Sequence, residues 1–512
     1  MTLHVMTDDH VEQWPIATLM RRGERAAAGL LDRGVRRGTP VAAIITNTAE
    51  ACTSAIGTWL AGATLVSLPV IARGTTVPEY RTQLRRICED VGSPLLLVEA
   101  RYAPFLEGLG IELVTHEELP AERAAGADPP GEDDIAFVQY SSGSTRSPRG
   151  CALTTRAIAA QLDLLGGALE LDGERDRGVS WLPLSHDLGF FGGLLNVWRA
   201  GIDGLMTTPE RFLADPRTWL TDCSDFGATL TLAPALGLAM AARAARSSAP
   251  AVDLSLRACL VGGDVFTPGA LELVDEVLGP LGLGAPPVVP GYGLAEATLG
   301  VTLGALGTAP SVRAAPADPG VPGTPVVSSG RPLPGVEVRI EGPEPVGEIL
   351  VRSPAMALGY FGAPDDPAFE GGQLRTGDIG FMAEGELHVV GRADDVLKVG
   401  ATKVWATEVE SAIAVEPGIR AGNCVLVAVP AGAGERLVVI AEADGSDELD
   451  TLARRVARRA LADGGVGIGE CVFVRRGALP KTPSGKVQRY RCRQVARSGG
   501  EGVIARVRLR EL

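Results

Sequence analysis

Several common routes to stability and chemistry are missing from this 512-residue chain. Its eight cysteines are scattered without a single CxxC pair, which argues against both a disulfide framework and a structural zinc site and fits a reducing compartment. There is no basic excess: 48 Lys and Arg face 62 Asp and Glu, a formal charge of −14, the reverse of what a nucleic-acid partner demands. HExxH, EF-hand, GxGxxG and GxSxG elements are absent, so zinc-protease, calcium-sensor, dinucleotide and serine-hydrolase readings lack support. Internal repeats are lacking as well. The first dozen residues carry Asp8, Asp9 and Glu12 and no apolar core, unlike a secretory signal, and a cytoplasmic protein is expected. Residues 51–72 form the longest uncharged run. Thr53, Ser54, Gly57, Gly62, Thr64 and Pro69 interrupt it, so it reads as a buried helix (51–60) turning into a buried strand (64–69), with no membrane span.

What is present is an ordinary globular composition, 46% hydrophobic and 21% charged. At about 150 residues per domain the length predicts two to four domains. Up to about residue 300 helical and strand-like segments alternate: helix 24–32, strand 40–46, strand 93–99, strand 135–140, helix 155–169, strand 228–233. This pattern predicts an α/β fold with parallel sheets covered by helices. Residues 304–335 are rich in Pro, Gly, Ala and Ser and read as connecting loop. Short alternating stretches at 336–340 and 347–351 predict a small β-rich subdomain. Beyond Gly391 come strands 423–429 and 437–443, a charged helix 447–462 and a basic end, which together predict a small α+β domain after a linker.

Several segments carry candidate chemistry. Residues 141–150 (Ser-Ser-Gly-Ser-Thr-Arg-Ser-Pro-Arg-Gly) follow an apolar strand, and small hydroxyl residues between glycines let backbone N–H groups converge on an anion. Without a GKS or GKT ending this is not the common NTPase loop, and a plain Ser/Gly/Pro turn is the alternative. His186 beside Asp187 reads as a base with its orienting carboxylate, as a gate between a polar site and an apolar tunnel, or as a capped helix start. Phe190, Phe191, Gly192 and Gly193, just beyond, hint at an apolar, roomy site. Residues 291–298 are read as ending a strand and opening a helix: the glycines allow close backbone approach, Tyr292 offers a flat face, and Glu296 suits a divalent cation. Asp378, on the Arg-Thr-Gly-Asp turn, suits a ribose diol. Lys486 stands in a C-terminal loop ahead of Arg489, Arg491 and Arg493, a run that alone reads as a solvated tail.

In this order, and over nearly the whole chain, these segments resemble the superfamily of adenylate-forming enzymes, which contains acyl-CoA synthetases, the adenylation domains of peptide synthetases and luciferase. Residues 181–193 and 293–299 are most similar to its fatty acyl-AMP ligase branch. The resemblance implies a large N-terminal domain (1–392) of two helix-covered sheets plus the β subdomain, and a small mobile α+β domain (393–512). It implies that Ser141, Ser142, Gly143, Ser144 and Thr145 embrace the ATP phosphates, Tyr292 and Gly293 lie by the adenine, and Glu296 ligates Mg²⁺. Asp378 takes the ribose hydroxyls with help from Arg392. His186 borders the acyl pocket, Lys486 stabilises charge as a carboxylate attacks the α-phosphorus, Asp394 is the hinge, and Lys398 and Gly400 serve CoA.

Three features depart from the family pattern or divide its branches. Arg146 and Arg149 stand where many members have Gly and Lys, an exchange of a point charge for a planar fork. Ala295 replaces a hydroxyl residue, so the efficiency of adenylation stays open, and thioester formation on a supplied acyl-adenylate is an alternative. Third, members that avoid CoA carry an insertion ahead of the Arg-Thr-Gly-Asp turn, and the stretch between Tyr360 and Arg375 is too short to hold it. An acyl-CoA ligase is the expectation. A fatty acyl-AMP ligase loading an acyl carrier protein is the alternative, and a binding protein that has lost the chemistry is a third.

Overall fold

In the computed structural model the described residues are 1–512 apart from 8–9, 72–74, 141–148, 317–322, 324, 344, 400–401, 432–433, 444–447, 482–486, 501 and 510–512. Two sheets dominate the first 300 residues. One has six strands in the order Glu112–Thr115, Leu95–Val98, Pro40–Ala43, Thr64–Ser67, Ile135–Tyr140, Gly150–Thr154, parallel except for the last pair. The other has nine, and at its heart Asp203–Met206, Arg177–Ser180, Leu230–Ala233, Ala258–Val261 and Val288–Gly293 run parallel. The loops that these two sheets contribute to the site leave the C-terminal ends of their strands, where parallel sheets covered by helices leave a crevice.

The uncharged run resolves as helix Ala49–Leu60, capped by Thr48, followed by strand Thr64–Ser67 inside the six-stranded sheet. The helix packs on Ile16–Asp32 so closely that a Cβ on Gly57 would sit 2.5 Å from the Ala26 Cβ, and one on Gly23 2.3 Å from Ile56 Cγ2. That backbone approach explains its uncharged, small-residue composition. Among the described residues no helix is long and apolar enough to cross a membrane. Between the sheets a wide π-type helix, Leu188–Leu195, buries Phe190 and Phe191 against Phe137. Those two aromatics therefore belong to the core and line neither cavity described below, contrary to the hint drawn from their sequence position.

At the opposite, N-terminal ends of the strands, Asp176 accepts from Arg257 Nε (2.7 Å) and Thr229 Oγ1 (2.9 Å). Burial works against its charge, yet Arg257 and Thr229 outweigh it and hold its carboxyl down at about 2.

Residues 304–335 are less featureless than expected. Val312–Ala314 pairs with Pro325–Val327, and Arg331–Pro332 adds an edge to the nine-stranded sheet. A four-stranded antiparallel sheet follows: Glu337–Glu341, Gly347–Arg352, Leu374–Ala383, Glu386–Arg392. Beyond it stand a hairpin, Val396–Val399 with Thr402–Trp405, and a four-stranded mixed sheet of Ile419–Ala431, Gly434–Ala443, Glu470–Val474 and Val503–Arg508. Helices Ala406–Ile413 and Leu449–Gly464 bury Val409, Ile413, Leu452 and Val456 with one face of that sheet. Helix Arg489–Ser498 packs Cys492 and Ala496 on the other face. The basic run is thus a folded helix, with Arg489 buried, where a solvated tail was the alternative.

Candidate active site

The strand ends of both sheets, the four-stranded sheet and the C-terminal part together enclose a cavity of about 520 Å³. Tyr292, Gly293, Glu296, His186, Asp378 and Arg392 all line it, so the structure brings together the described candidates from four separate stretches of sequence.

Tyr292 and Gly293 end the strand Val288–Gly293. A Cβ on Gly293 would lie 1.8 Å from the Leu299 carbonyl oxygen, so only glycine fits this reversal. The Tyr292 hydroxyl donates to Asp378 Oδ2 at 2.6 Å. Burial and the adjacent carboxylate push its pKa far up, which keeps the phenol a donor. Strand register puts Asp378 directly opposite Arg392, and the pair is 3.2 Å apart. Where a tight turn was expected, Gly377 lies at an irregularity inside the strand Leu374–Ala383, at φ +70, with the Thr376 hydroxyl accepting from Asp378 N–H at 3.0 Å.

Glu296 sits on one turn of 3₁₀-helix, Ala295–Ala297, where a longer helix was expected. The turn ends at Thr298 with φ +65, an uncommon conformation for a β-branched residue. Tyr360 donates its hydroxyl to Glu296 Oε1 at 2.7 Å, and burial followed by Glu296 raises the Tyr360 pKa. Arg149, the last cation of the expected phosphate loop, lies 3.9 Å above the Tyr360 ring and 3.0 Å from Asp366.

His186 and Asp187 combine two of the sequence readings. His186 Nδ1 is 2.6 Å from Asp187 Oδ1, and the same carboxylate oxygen accepts from Leu188 N–H at 2.7 Å, capping the π-type helix. The stretch before them is pinned by Asn47, whose Nδ2 donates to Leu182 O (2.9 Å) and Thr207 O (2.8 Å) while its Oδ1 accepts from Leu184 N–H (3.0 Å). His186, Pro183, Leu188, Gly262 and Gly263 also wall a second cavity of about 860 Å³, which reaches Trp181, Met240, Arg420 and Lys481. His186 therefore stands on the partition between the two spaces.

Ser141, Ser142, Gly143, Ser144, Thr145, Gly400 and Lys486 lie outside the described residues, as do the side chains of Asp394 and Lys398. Of their described neighbours in sequence, Tyr140, Arg149 and Val487 line the first cavity. Arg489, three residues beyond Lys486, is 2.5 Å from Asp395 Oδ1 and 2.9 Å from Glu410 Oε2. Burial opposes its charge, but Glu410 and Asp395 raise its pKa overall, whereas burial pushes Glu410 up. Tyr360, Asp366, Asn47 and the Arg489 partners were not anticipated. Their partners are remote in sequence, and no local signal marks them.

Among the described residues no group of three metal-ligating side chains occurs. Glu296 brings one carboxylate to the cavity wall, which Asp378 and Asp187 also line, and a site of few protein carboxylates suits a cation shared with substrate phosphates.

Residues 4–361 match the family of AMP-binding enzymes, and the chain belongs to that family. It is an enzyme of the adenylate-forming, acyl-activating ligase class, whose members work on ATP and AMP. The chain is 30% identical to a putative ligase, Rv1013, of Mycobacterium tuberculosis, across 91% of this chain and 92% of that protein. It is also 30% identical to a putative fatty-acid–CoA ligase, fadD25, of the same species, across 72% of this chain and 70% of that protein. Among solved structures, one from a study of fatty acyl-adenylate ligases of E. coli and L. pneumophila shares the fold, with a TM-score of 0.87 at 24% identity over 97% of this chain and 94% of that one.

Proposed function

We propose that the protein is a cytoplasmic acyl-CoA ligase: a carboxylic acid and ATP give an acyl-adenylate and pyrophosphate, and the thiol of CoA then displaces AMP. The observation that carries this reading is the convergence of Tyr292, Glu296, Asp378, Arg392 and His186 on one cavity that Val487, beside Lys486, also lines. Residues 1–392 bind the nucleotide and the acid, and residues 393–512 swing about Asp394 between the two steps. Ser141, Ser142, Gly143, Ser144 and Thr145 hold the phosphates; Tyr292 and Gly293 meet the adenine; Asp378 and Arg392 hold the ribose. His186 closes the acyl side.

The physical problem is that two anions must meet. Lys486 supplies an ammonium where charge develops as the acid oxygen bonds the α-phosphorus and the bond to pyrophosphate breaks. Removing one such donor typically costs on the order of 10²–10³ in rate. Glu296 would hold Mg²⁺, whose contribution there is to offset phosphate charge. In the second step the thiol sulfur bonds the acyl carbon, AMP leaves with the bond electrons, and Lys486 must have withdrawn, with Lys398 and Gly400 facing CoA.

The short stretch between Tyr360 and Arg375 supports CoA as the acceptor, as does the printed name of the fadD25 relative. The likeness of residues 181–193 to fatty acyl-AMP ligases supports the second reading, a carrier protein as the acceptor. Incubating the protein with ATP, Mg²⁺, a panel of acids and either CoA or a carrier protein separates them. CoA esters are expected; carrier loading without CoA ester refutes the first reading. CoA ester formed only from synthetic acyl-adenylate would show that the first half-reaction is lost.

A further inference from the structure

Residues 355–361 act as a strap between two parts of the site that are far apart in the chain. On one side the strap runs beside the strand Gly150–Thr154, directly after the phosphate-loop stretch. Leu358 N–H donates to Ala152 O (2.9 Å), Ala152 N–H to Gly359 O (3.0 Å), and Phe361 N–H to Gly150 O (2.7 Å). On the other side it grips the Glu296 turn three times. Thr298 Oγ1 donates to Ala355 O at 2.7 Å, which braces the left-handed backbone of that threonine. Ala357 N–H donates to Glu296 O at 2.8 Å, and the Tyr360 hydroxyl to Glu296 Oε1 at 2.7 Å.

The chemistry of the third bond is telling. A neutral phenol orients a carboxylate without cancelling its charge, whereas an arginine or lysine in its place would compete with a cation for that charge. Arg149, close by, is engaged with the Tyr360 ring and Asp366, and so steadies the phenol.

We propose that Tyr360 is a positioning residue for adenylate formation: through the strap it sets Glu296 at a fixed place relative to the strand Gly150–Thr154. The inference rests on the reading of Glu296 as the Mg²⁺ carboxylate. The test uses the full-length protein, a non-hydrolysable ATP analogue and Mn²⁺ as a spectroscopic probe. In Tyr360→Phe, Mn²⁺ affinity in the presence of the analogue is expected to fall about 10-fold, and acyl-AMP formation on the order of 10–100-fold, as is usual for a partner that orients a metal ligand. Thiol transfer from synthetic acyl-adenylate should change less than about 2-fold, because only interactions made in the affected step are lost. Asp366→Asn, which loosens Arg149, should move both metal affinity and adenylation the same way by roughly 3-fold, the smaller effect of a more distant support. Wild-type Mn²⁺ affinity in Tyr360→Phe, or equal losses in both half-reactions, overturns the proposal. Should that variant melt early, unchanged Mn²⁺ affinity in Asp366→Asn overturns it instead. A wild-type protein that holds no Mn²⁺ with the analogue would overturn the reading of Glu296 itself.

Discussion

The two halves of the candidate site are held by different physics. In the large lobe, Tyr292, Asp378 and Glu296 are fixed by short hydrogen bonds and by backbone that only one geometry satisfies, such as the Gly293 reversal and the Thr298 turn. In the small lobe, the stretch bearing Lys486 is backed by an ion cluster, Arg489 with Asp395 and Glu410, that stays within that lobe. Between the lobes Arg491 reaches Thr75 Oγ1 (2.6 Å) and Glu79 Oε2 (2.9 Å), and Glu79 also completes the capping box of helix Val77–Val91. A pair with Glu79 half-exposed is weak and exchangeable. Trp405 of the small lobe also packs in a buried apolar cluster with Val326, Val346 and Phe381 of the large lobe, so the two lobes meet through one apolar contact and one exchangeable polar contact.

The comparison can be broken from either side. Lys486→Ala should cut acyl-AMP formation by about 10²–10³ while sparing transfer from supplied adenylate, measured by pyrophosphate release and by CoA-ester mass. Equal loss of both steps would deny the small lobe its separate role. Asp378→Ala strips Tyr292 and Arg392 of a shared partner, and a loss of adenylation near 10²-fold with weakened ATP binding is expected. A nucleotide affinity equal to wild type would show that the cradle is not fixed in this way.

Asp176→Asn probes the far end of the same sheet, where only stability is at stake. The folded carboxyl titrates near 2 against an ordinary 3.8, so its stabilisation is present above about pH 4 and is lost as pH falls towards 2. The variant should lose about 2 kcal/mol at neutral pH, with the gap to wild type closing between pH 4 and 2 in denaturant titrations, and both half-reactions unchanged. The smallest effect belongs to Arg491→Ala, worth at most about 1 kcal/mol as a surface contact. Adenylation should drop by less than about 5-fold with thiol transfer unaffected, and a tenfold change would make the lobe contact far stronger than its exposure suggests.

Legibility in the sequence followed the range of the interaction. Strand Ile135–Tyr140 stands where its apolar run predicts, and the helix expected at 155–169 ends one residue early, at Ala168. The His186–Asp187 contact is between neighbours and was foreseen. The helix expected at 24–32 begins at Ile16, and inside it Gly23 is demanded by the approach of Ile56. Tyr360 reaches Glu296 across 64 residues and Arg489 reaches Glu410 across 79, so periodicity and turn signals carried no trace of either. The strands within 304–335 escaped for a related reason: Val312–Ala314 and Pro325–Val327 form by pairing with each other across the intervening chain, and Arg331–Pro332 by pairing with Thr302 and Leu303.

All eight cysteines are buried and unpaired. Burial pushes the thiols of Cys88, Cys223, Cys424, Cys471 and Cys492 up to about 12, and raises those of Cys52, Cys151 and Cys259 as well. A mixed anhydride of a carboxylic and a phosphoric acid acylates any thiolate it meets, and this polypeptide offers it none. Such an intermediate meets no ready cysteine thiolate on its host, and thiol-alkylating reagents should leave the native protein untouched until denaturant opens it.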